Sequence, residues 1–312
     1  MDVIGFGALN IDKIFFVDKI PKKDEESFIK SIETHFGGSA ANTIVGLSRL
    51  GLKTAYIGKV GNDDDGYRII EDLKREGVNT RNIKIGKGRT GLAMIFVDSN
   101  GNRAILLDPG VNDEIKYSEI DVDFVNEFKI LHLSSFVCKN SKLSFESQRE
   151  LVKNTDIEVS FDPGHIYAQK GLDALRDIIK RTSIFLPNKI EIEMMTQRNY
   201  IDGAKFLIEK YKCKIVAVKL GRTGCHVFWK KHDIFIPSFK TNIVDTTGAG
   251  DAFNAGFLYG YLNNKPPKIC GILGNLVASL KIRKPGPRSG LPKKDELSKM
   301  WKDFIGKSFI NC

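Results

Sequence analysis

No pair of cysteines is spaced for chemistry in this chain. Cys138, Cys213, Cys225, Cys270 and Cys312 lie far apart and none forms a C-x-x-C, which argues against a zinc site or a disulfide frame and for reduced thiols. The histidines include no H-E-x-x-H, and neither a Walker A string nor a G-x-S-x-G nucleophile elbow occurs, so the usual signs of metalloprotease, P-loop and serine-hydrolase chemistry are missing. No apolar run is long enough to span a bilayer, and a strand-like run follows Asp2 directly. A cytoplasmic protein with no leader and no membrane contact is therefore expected. Basic residues exceed acidic ones, 48 to 38, yet they are scattered. Without a basic stripe and interleaved aromatics, nucleic acid is not an expected partner, while small anions are.

What is present is a chain of 312 residues, 42% hydrophobic, enough for a large core and read as a single domain over 1–312. Val3-Ile4-Gly5-Phe6-Gly7 reads as a buried first strand. Gly5-Phe6-Gly7-Ala8-Leu9-Asn10 puts Asn10 where a dinucleotide fingerprint needs its third glycine, which disfavours a nicotinamide oxidoreductase. Ile14–Val17, Phe28–Ile32, Leu92–Val97 and Arg103–Leu107 are short strand candidates, the last two flanking a hairpin turn at 98–102. They suggest a small separate sheet built from about 13–34 and 91–108. Between them, Phe36-Gly37-Gly38-Ser39-Ala40-Ala41-Asn42 leads into a helix over 43–50, with Ser39 as its expected N-cap. Asn62-Asp63-Asp64-Asp65-Gly66 reads as the cap of a helix over 67–75, because Gly61 stands where a calcium loop needs Asp. From Lys129 onward strands alternate with helices, including helices over 141–154 and 172–180. That alternation predicts a parallel sheet between helical layers.

One stretch points to chemistry. Asp245-Thr246-Thr247-Gly248-Ala249-Gly250-Asp251 follows a β-leaning run, Ile234–Ile236 to Ile243–Val244, and precedes a helix-like run over 253–262. Amides of Gly248, Ala249 and Gly250 at a helix start can cradle an anion. Asp251 beside that cup suits a base that takes a proton from a hydroxyl. A helix N-terminus should keep its carboxylate ionised.

This string resembles the C-terminal signature of the ribokinase-like (pfkB) carbohydrate and nucleoside kinases. Gly37-Gly38 with Asn42 resembles that family's N-terminal signature, and the matches run through essentially the whole chain. The resemblance implies a three-layer α/β/α sandwich with a mostly parallel central sheet and a small β-sheet lid, often a homodimer surface. It implies a kinase that uses Mg²⁺ and ATP to phosphorylate a sugar or nucleoside hydroxyl. A sugar phosphate or inositol as acceptor, or a kinase-fold protein that only binds, stay open as alternatives. By this resemblance Asn10, Asp12, Gly37, Gly38 and Asn42 hold the acceptor, and Asp251 with Gly248, Ala249 and Gly250 is catalytic. Asn188, Lys219, Gly221, Gly224 and Asn275 hold the nucleotide. Glu191 orders the water shell of magnesium, and Asp245 belongs to a monovalent-cation site. Read from the residues alone, Asn188-Lys189-Ile190-Glu191 is also a capping box, and Lys219–Gly224 is also a hairpin turn. The acceptor is left unnamed: Phe16, Phe28 and Phe96 are candidates for stacking on a base, Arg89 and Arg103 for an acceptor phosphate, and His165 for a place facing the site.

Overall fold

The computed structural model describes residues 1–310, so Cys312 and the expected domain end lie outside the described residues. The chain opens with β1 (Val3–Phe6), β2 (Asn10–Val17), β3 (Ile29–Gly37), α1 (Ser39–Arg49), β4 (Thr54–Gly61), α2 (Asp64–Arg75) and β5 (Val78–Gly86). It continues through β6 (Gly91–Val97), β7 (Arg103–Asp108), α3 (Val122–Asn126), β8 (Ile130–Leu133), α4 (Leu143–Lys153) and β9 (Glu158–Phe161). Then come α5 (Gly164–Ala168), α6 (Gly171–Ala174), α7 (Arg176–Arg181), β10 (Thr182–Phe185), α8 (Lys189–Thr196), α9 (Tyr200–Tyr211) and β11 (Ile215–Lys219). It closes with β12 (Gly224–Trp229), β13 (His232–Pro237), α10 (Ala249–Leu262), α11 (Pro267–Lys281) and α12 (Lys294–Ile310).

Nine strands form one sheet in the order β13-β12-β11-β10-β9-β8-β1-β4-β5. It is parallel from β11 to β5, and β12 and β13 add an antiparallel edge. Its strands are apolar on both faces because helices cover both. Val3, Ile130 and Ala217 pack with α1, α10 and α11, while Ile4, Leu131 and Val218 pack with α4, α7 and α9. This is the three-layer sandwich the sequence predicts. The order reverses at β1, which lies between β8 and β4. Open α/β sheets bind ligands past the carboxyl ends of their strands at such a point.

The second sheet, β3-β2-β6-β7, is the expected small one. β2 begins earlier and β3 ends later than the sequence suggests, so Asn10 and Asp12 lie within β2 and Gly37 ends β3. Asp63 caps α2 by accepting from the Gly66 amide at 2.8 Å.

Three local expectations are corrected. Gly38, not Ser39, is the N-cap of α1, at φ 100°, and no side chain caps that helix. Ile243 and Val244 form no strand; they stand exposed between β13 and α10. The helix expected over 172–180 is two short helices that break at Leu175. Leu175 is completely buried and stands at the end of one helix and the start of the next.

Candidate active site

The N-termini of α1 and α10 meet at Asp251. Ser39 Oγ donates to Asp251 Oδ1 at 2.7 Å, and Asn42 Nδ2 donates to Oδ2 at 2.9 Å. The sequence reading gave Ser39 to the wrong partner because its nearest orphan amides are local, whereas Asp251 is brought up by the tertiary fold. Asn42 Oδ1 in turn accepts from Arg288 Nε at 2.8 Å. Arg288 is buried and also donates to Asp72 Oδ2 at 2.7 Å. Both ends of the Asn42 amide are therefore engaged by protein, and Asn42 orients Asp251. The pull of the helix N-terminus toward a lower Asp251 pKa is outweighed by its surroundings. Burial pushes its pKa up, and the hydrogen bonds from Ser39 and Asn42 pull back only in part.

The turn before α10 has the shape an anion needs. Gly248 caps the helix in the left-handed region, at φ 75°. A Cβ there would also lie 2.7 Å from the Pro287 carbonyl oxygen, so only glycine fits. The Ala249 amide donates to the Thr246 carbonyl at 3.1 Å. This closes the turn and leaves the amides of Gly248 and Gly250 without acceptors among the described residues.

Lys219, at the end of β11, reaches this turn. A Cβ on Gly250 would lie 3.5 Å from its Nζ. The ammonium donates to Asp162 Oδ2 at 2.6 Å and to Asn254 Oδ1 at 3.3 Å, while Asn254 Nδ2 donates to the same Asp162 oxygen at 2.6 Å. Burial pulls the Lys219 pKa down, but Asp162, Glu191 and Asp251 together lift it above the ordinary lysine value. Burial pushes Asp162 up, and the Lys219 charge outweighs it. Asp162 and Asn254 escaped the sequence reading. Asp162 directly follows β9, in Asp162-Pro163-Gly164-His165, where His165 drew attention instead. His165 is exposed and bonds Gln169. Asn254 lies one helical turn after Asp251, and that i, i+3 spacing was the available signal.

Glu191 and Asn188 form the capping box: Glu191 Oε2 accepts from the Asn188 amide at 2.8 Å, and Asn188 Oδ1 accepts from the Glu191 amide at 2.9 Å. Burial and the Asp162 charge push Glu191 up to about 7. Among the described residues no cluster of three or more metal-binding side chains exists. A magnesium ion held chiefly by phosphate oxygens and water fits the Glu191 carboxylate, which presents a hard oxygen without a full protein cage.

A cleft of 640 Å³ opens beside this end of the sheet, lined by Asn188, Ile190, Tyr200, Lys219, Gly221 and Phe235 among others. Gly221 and Gly224 flank the short turn between β11 and β12. Asn275 lies apart on α11, where its Nδ2 donates to the carbonyls of Ile236 and Pro237, each at 3.1 Å. It ties α11 to the end of β13.

On the lid side, Asp12 lies against Gly37, where a Cβ would come within 2.3 Å of both carboxylate oxygens. Burial raises Asp12 to about 6, against the opposing charges of Arg288 and His35. Asn10 Oδ1 accepts from Asn112 Nδ2 at 2.8 Å, a buried partner the sequence did not reveal. Strand register puts Phe16 on the face of Asp12 and Phe96 on the other, where Phe96 stacks on Phe15 with centroids 5.2 Å apart. Arg89 pairs with Asp108 at 2.7 Å. Phe28 is 74% exposed and outside the strands. His132 is a core residue, and burial lowers it to about 4.

Asp245 is satisfied by protein. Its Oδ1 accepts from the Thr247 amide and hydroxyl at 2.9 and 2.8 Å, and Oδ2 accepts from the Gly286 amide at 2.8 Å. The buried Lys281 ammonium donates to its carbonyl at 3.0 Å. A dissolved monovalent cation does not fit here, because a protein cation already lies against these oxygens.

The sequence pattern of the pfkB family carbohydrate kinases matches residues 2–294. This chain belongs to that family. The kinase is 53% identical over 249 residues to an uncharacterized sugar kinase of Archaeoglobus fulgidus, covering 80% of this chain and 99% of the relative. It is 30% identical over 288 residues to the ATP-dependent ribose-1-phosphate kinase of Halopiger xanaduensis, covering 92% and 94%. Among solved structures it resembles ribokinase from Thermotoga maritima, with TM-score 0.85, 29% identity and coverage of 96% and 99%. It also resembles the nucleoside kinase of Methanocaldococcus jannaschii, with TM-score 0.82, 27% identity and coverage of 97% and 99%. The chain is thus an enzyme that transfers a phosphoryl group to a sugar-like alcohol. No helix among the described residues is long and apolar enough to cross a membrane.

Proposed function

We propose that this kinase moves the γ-phosphoryl group of ATP, with Mg²⁺, to a hydroxyl of a sugar or nucleoside. The observation that carries this reading is the Asp251 carboxylate, gripped by Ser39 and Asn42 at the mouth of the Gly248–Gly250 turn. As the acceptor oxygen attacks phosphorus and the bond to the β-phosphate oxygen breaks, Asp251 takes the hydroxyl proton. The amides of Gly248 and Gly250 and the Lys219 ammonium face the charge on the moving group, and positioning with electrostatics carries most of such catalysis. Asn188, Gly221 and Gly224 border the nucleotide. Magnesium, when bound, would neutralise phosphate charge, with Glu191 orienting its water shell.

Glu191→Gln should then raise the Mg²⁺ concentration for half-maximal rate by about 10-fold or more. The melting temperature of the nucleotide-free protein should hold, since the amide oxygen can still accept from Asn188. A metal titration of rate beside a thermal melt reads both. A large loss of stability with unchanged metal dependence would leave Glu191 a capping residue only.

Asp12 accepts from neighbouring acceptor hydroxyls and so selects a vicinal diol. Asp12→Ala should weaken acceptor binding by about 1.5–3 kcal/mol and leave nucleotide affinity unchanged. Wild type should strongly prefer the full acceptor to its deoxy analogue, and the variant should lose most of that preference. The charged form is the one that accepts. With its pKa raised to about 6, acceptor affinity of wild type should hold above that pH and fall below it. Equal discrimination by both proteins would remove Asp12 from the pocket.

The lid is the proposed homodimer surface. Ile32 and Leu106, on the face opposite Asp12, are 55% and 56% exposed, and apolar groups so displayed mark contact surfaces. Light scattering should give twice the 34.9 kDa chain mass for wild type and the single mass for Ile32→Lys/Leu106→Glu. A wild-type monomer would dismiss this surface.

A further inference from the structure

Lys281 is the last residue of α11, and its side chain is completely buried. Burying an ammonium is costly unless oxygens surround it. Its only hydrogen bond among the described residues goes to the Asp245 carbonyl at 3.0 Å, and the Asp245 Oδ2 lies 3.9 Å away. An ammonium has three N–H donors, so no dense hydrogen-bond network explains its place. Both of these oxygens belong to Asp245, which leads into the Gly248–Gly250 turn. Asp245 holds the amide and hydroxyl of Thr247 at 2.9 and 2.8 Å, immediately before Gly248. The same carboxylate holds the Gly286 amide at 2.8 Å, and Pro287 of that loop presses on Gly248. The Asp245 and Val244 amides donate to the Ile282 carbonyl, next to Lys281 in sequence. The positive charge thus sits at the junction of the two segments that shape the Gly248–Gly250 cup, and the Asp245 and Asp251 charges both favour it.

We propose that the Lys281 ammonium is a tethered monovalent cation. It neutralises the oxygens of the Asp245 turn and fixes the amide cup, so that phosphoryl transfer by this chain needs no dissolved alkali cation. The proposal rests on the kinase reading for its rate measurements, but not for its melting measurements. Lys281 is a positioning residue: it acts on the moving phosphoryl group through the turn.

The chemistry makes a specific demand. Truncating Lys281 empties the space of its side chain, leaving the two Asp245 oxygens at its end with no positive charge. Potassium or ammonium ions match the lost ammonium group in size, whereas choline does not. The experiment compares wild type, Lys281→Ala and Lys281→Met in choline, sodium, ammonium and potassium chloride at one ionic strength. It reads kcat with ATP, Mg²⁺ and the best acceptor, and the melting temperature without nucleotide. Wild type should show the same kcat and melting temperature in every salt. Lys281→Ala should lose about 10-fold or more in kcat in choline, as when a preorganised electrostatic group is removed. Potassium or ammonium should return most of that loss and raise its melting temperature, since an ion that binds only the folded state stabilises it. Lys281→Met, whose methyl thioether fills the space, should lose activity in all four salts without recovery. Should Lys281→Ala fail to fold, Lys281→Met and the wild-type salt series decide the matter. Several-fold activation of wild type by potassium over choline would overturn the proposal. So would wild-type kcat in choline for either variant. Absence of turnover from wild type in every salt would instead overturn the kinase reading, while the melting series would still report the cation.

Discussion

Asp251→Asn should lose about 10²–10⁴-fold in kcat, the usual worth of a positioned general base. Nucleotide affinity should stay close to wild type, because the cup and Lys219 remain. Both oxygens of Asp251 accept, one from Ser39 at 2.7 Å and the other from Asn42 at 2.9 Å. An amide in place of the carboxylate can still accept from Asn42 and donate to the Ser39 hydroxyl oxygen, so the group keeps its place and loses its basicity. Isothermal titration with a non-hydrolysable nucleotide, beside steady-state rates, separates binding from turnover. A variant that keeps more than about a tenth of wild-type kcat would show that Asp251 is not the base.

Lys219→Met should fail in two separable ways. Turnover should fall by about 10²–10³-fold, as expected when one preorganised donor to transition-state charge is removed. Stability should fall by about 3–5 kcal/mol, because Asp162 is then left charged and unpaired in a buried place. Adding Asp162→Asn should restore most of the stability, since Asn254 can still bond the resulting amide. It should not restore turnover. Chemical denaturation and kcat on the single and double variants read both quantities. If the double variant recovers rate together with stability, Lys219 is only the partner of Asp162 and takes no part in the chemistry.

What the sequence could show depended on how local each cause is. Strand–helix alternation after Lys129 follows from short-range apolar patterning, and the parallel sheet came out as expected. The capping box at Asn188 and the cap at Asp63 span three residues, so they too were legible. Ser39 was misjudged because its hydroxyl bonds a group 212 residues away. Asp162, Asn254, Asn112 and Arg288 stayed hidden for the same reason. Each earns its place only when strand ends from distant parts of the chain are brought to one rim. The direction of the Asp251 pKa shift was misjudged because its helix position is local, whereas its burial under α1 is not. Ile243-Val244 looked strand-like from residue type alone, and no neighbouring strand edge is there to pair with it.

The account's central claim is that acceptor-dependent phosphoryl transfer occurs at Asp251. The most direct measurement is ³¹P NMR of the purified protein with ATP and Mg²⁺ against a panel of pentoses, hexoses, sugar phosphates, inositol and nucleosides. The account predicts ADP and a new phosphomonoester for at least one acceptor bearing a vicinal diol, with both signals lost in Asp251→Asn. ATP left intact with every acceptor, or turned into ADP and inorganic phosphate alone, would contradict it.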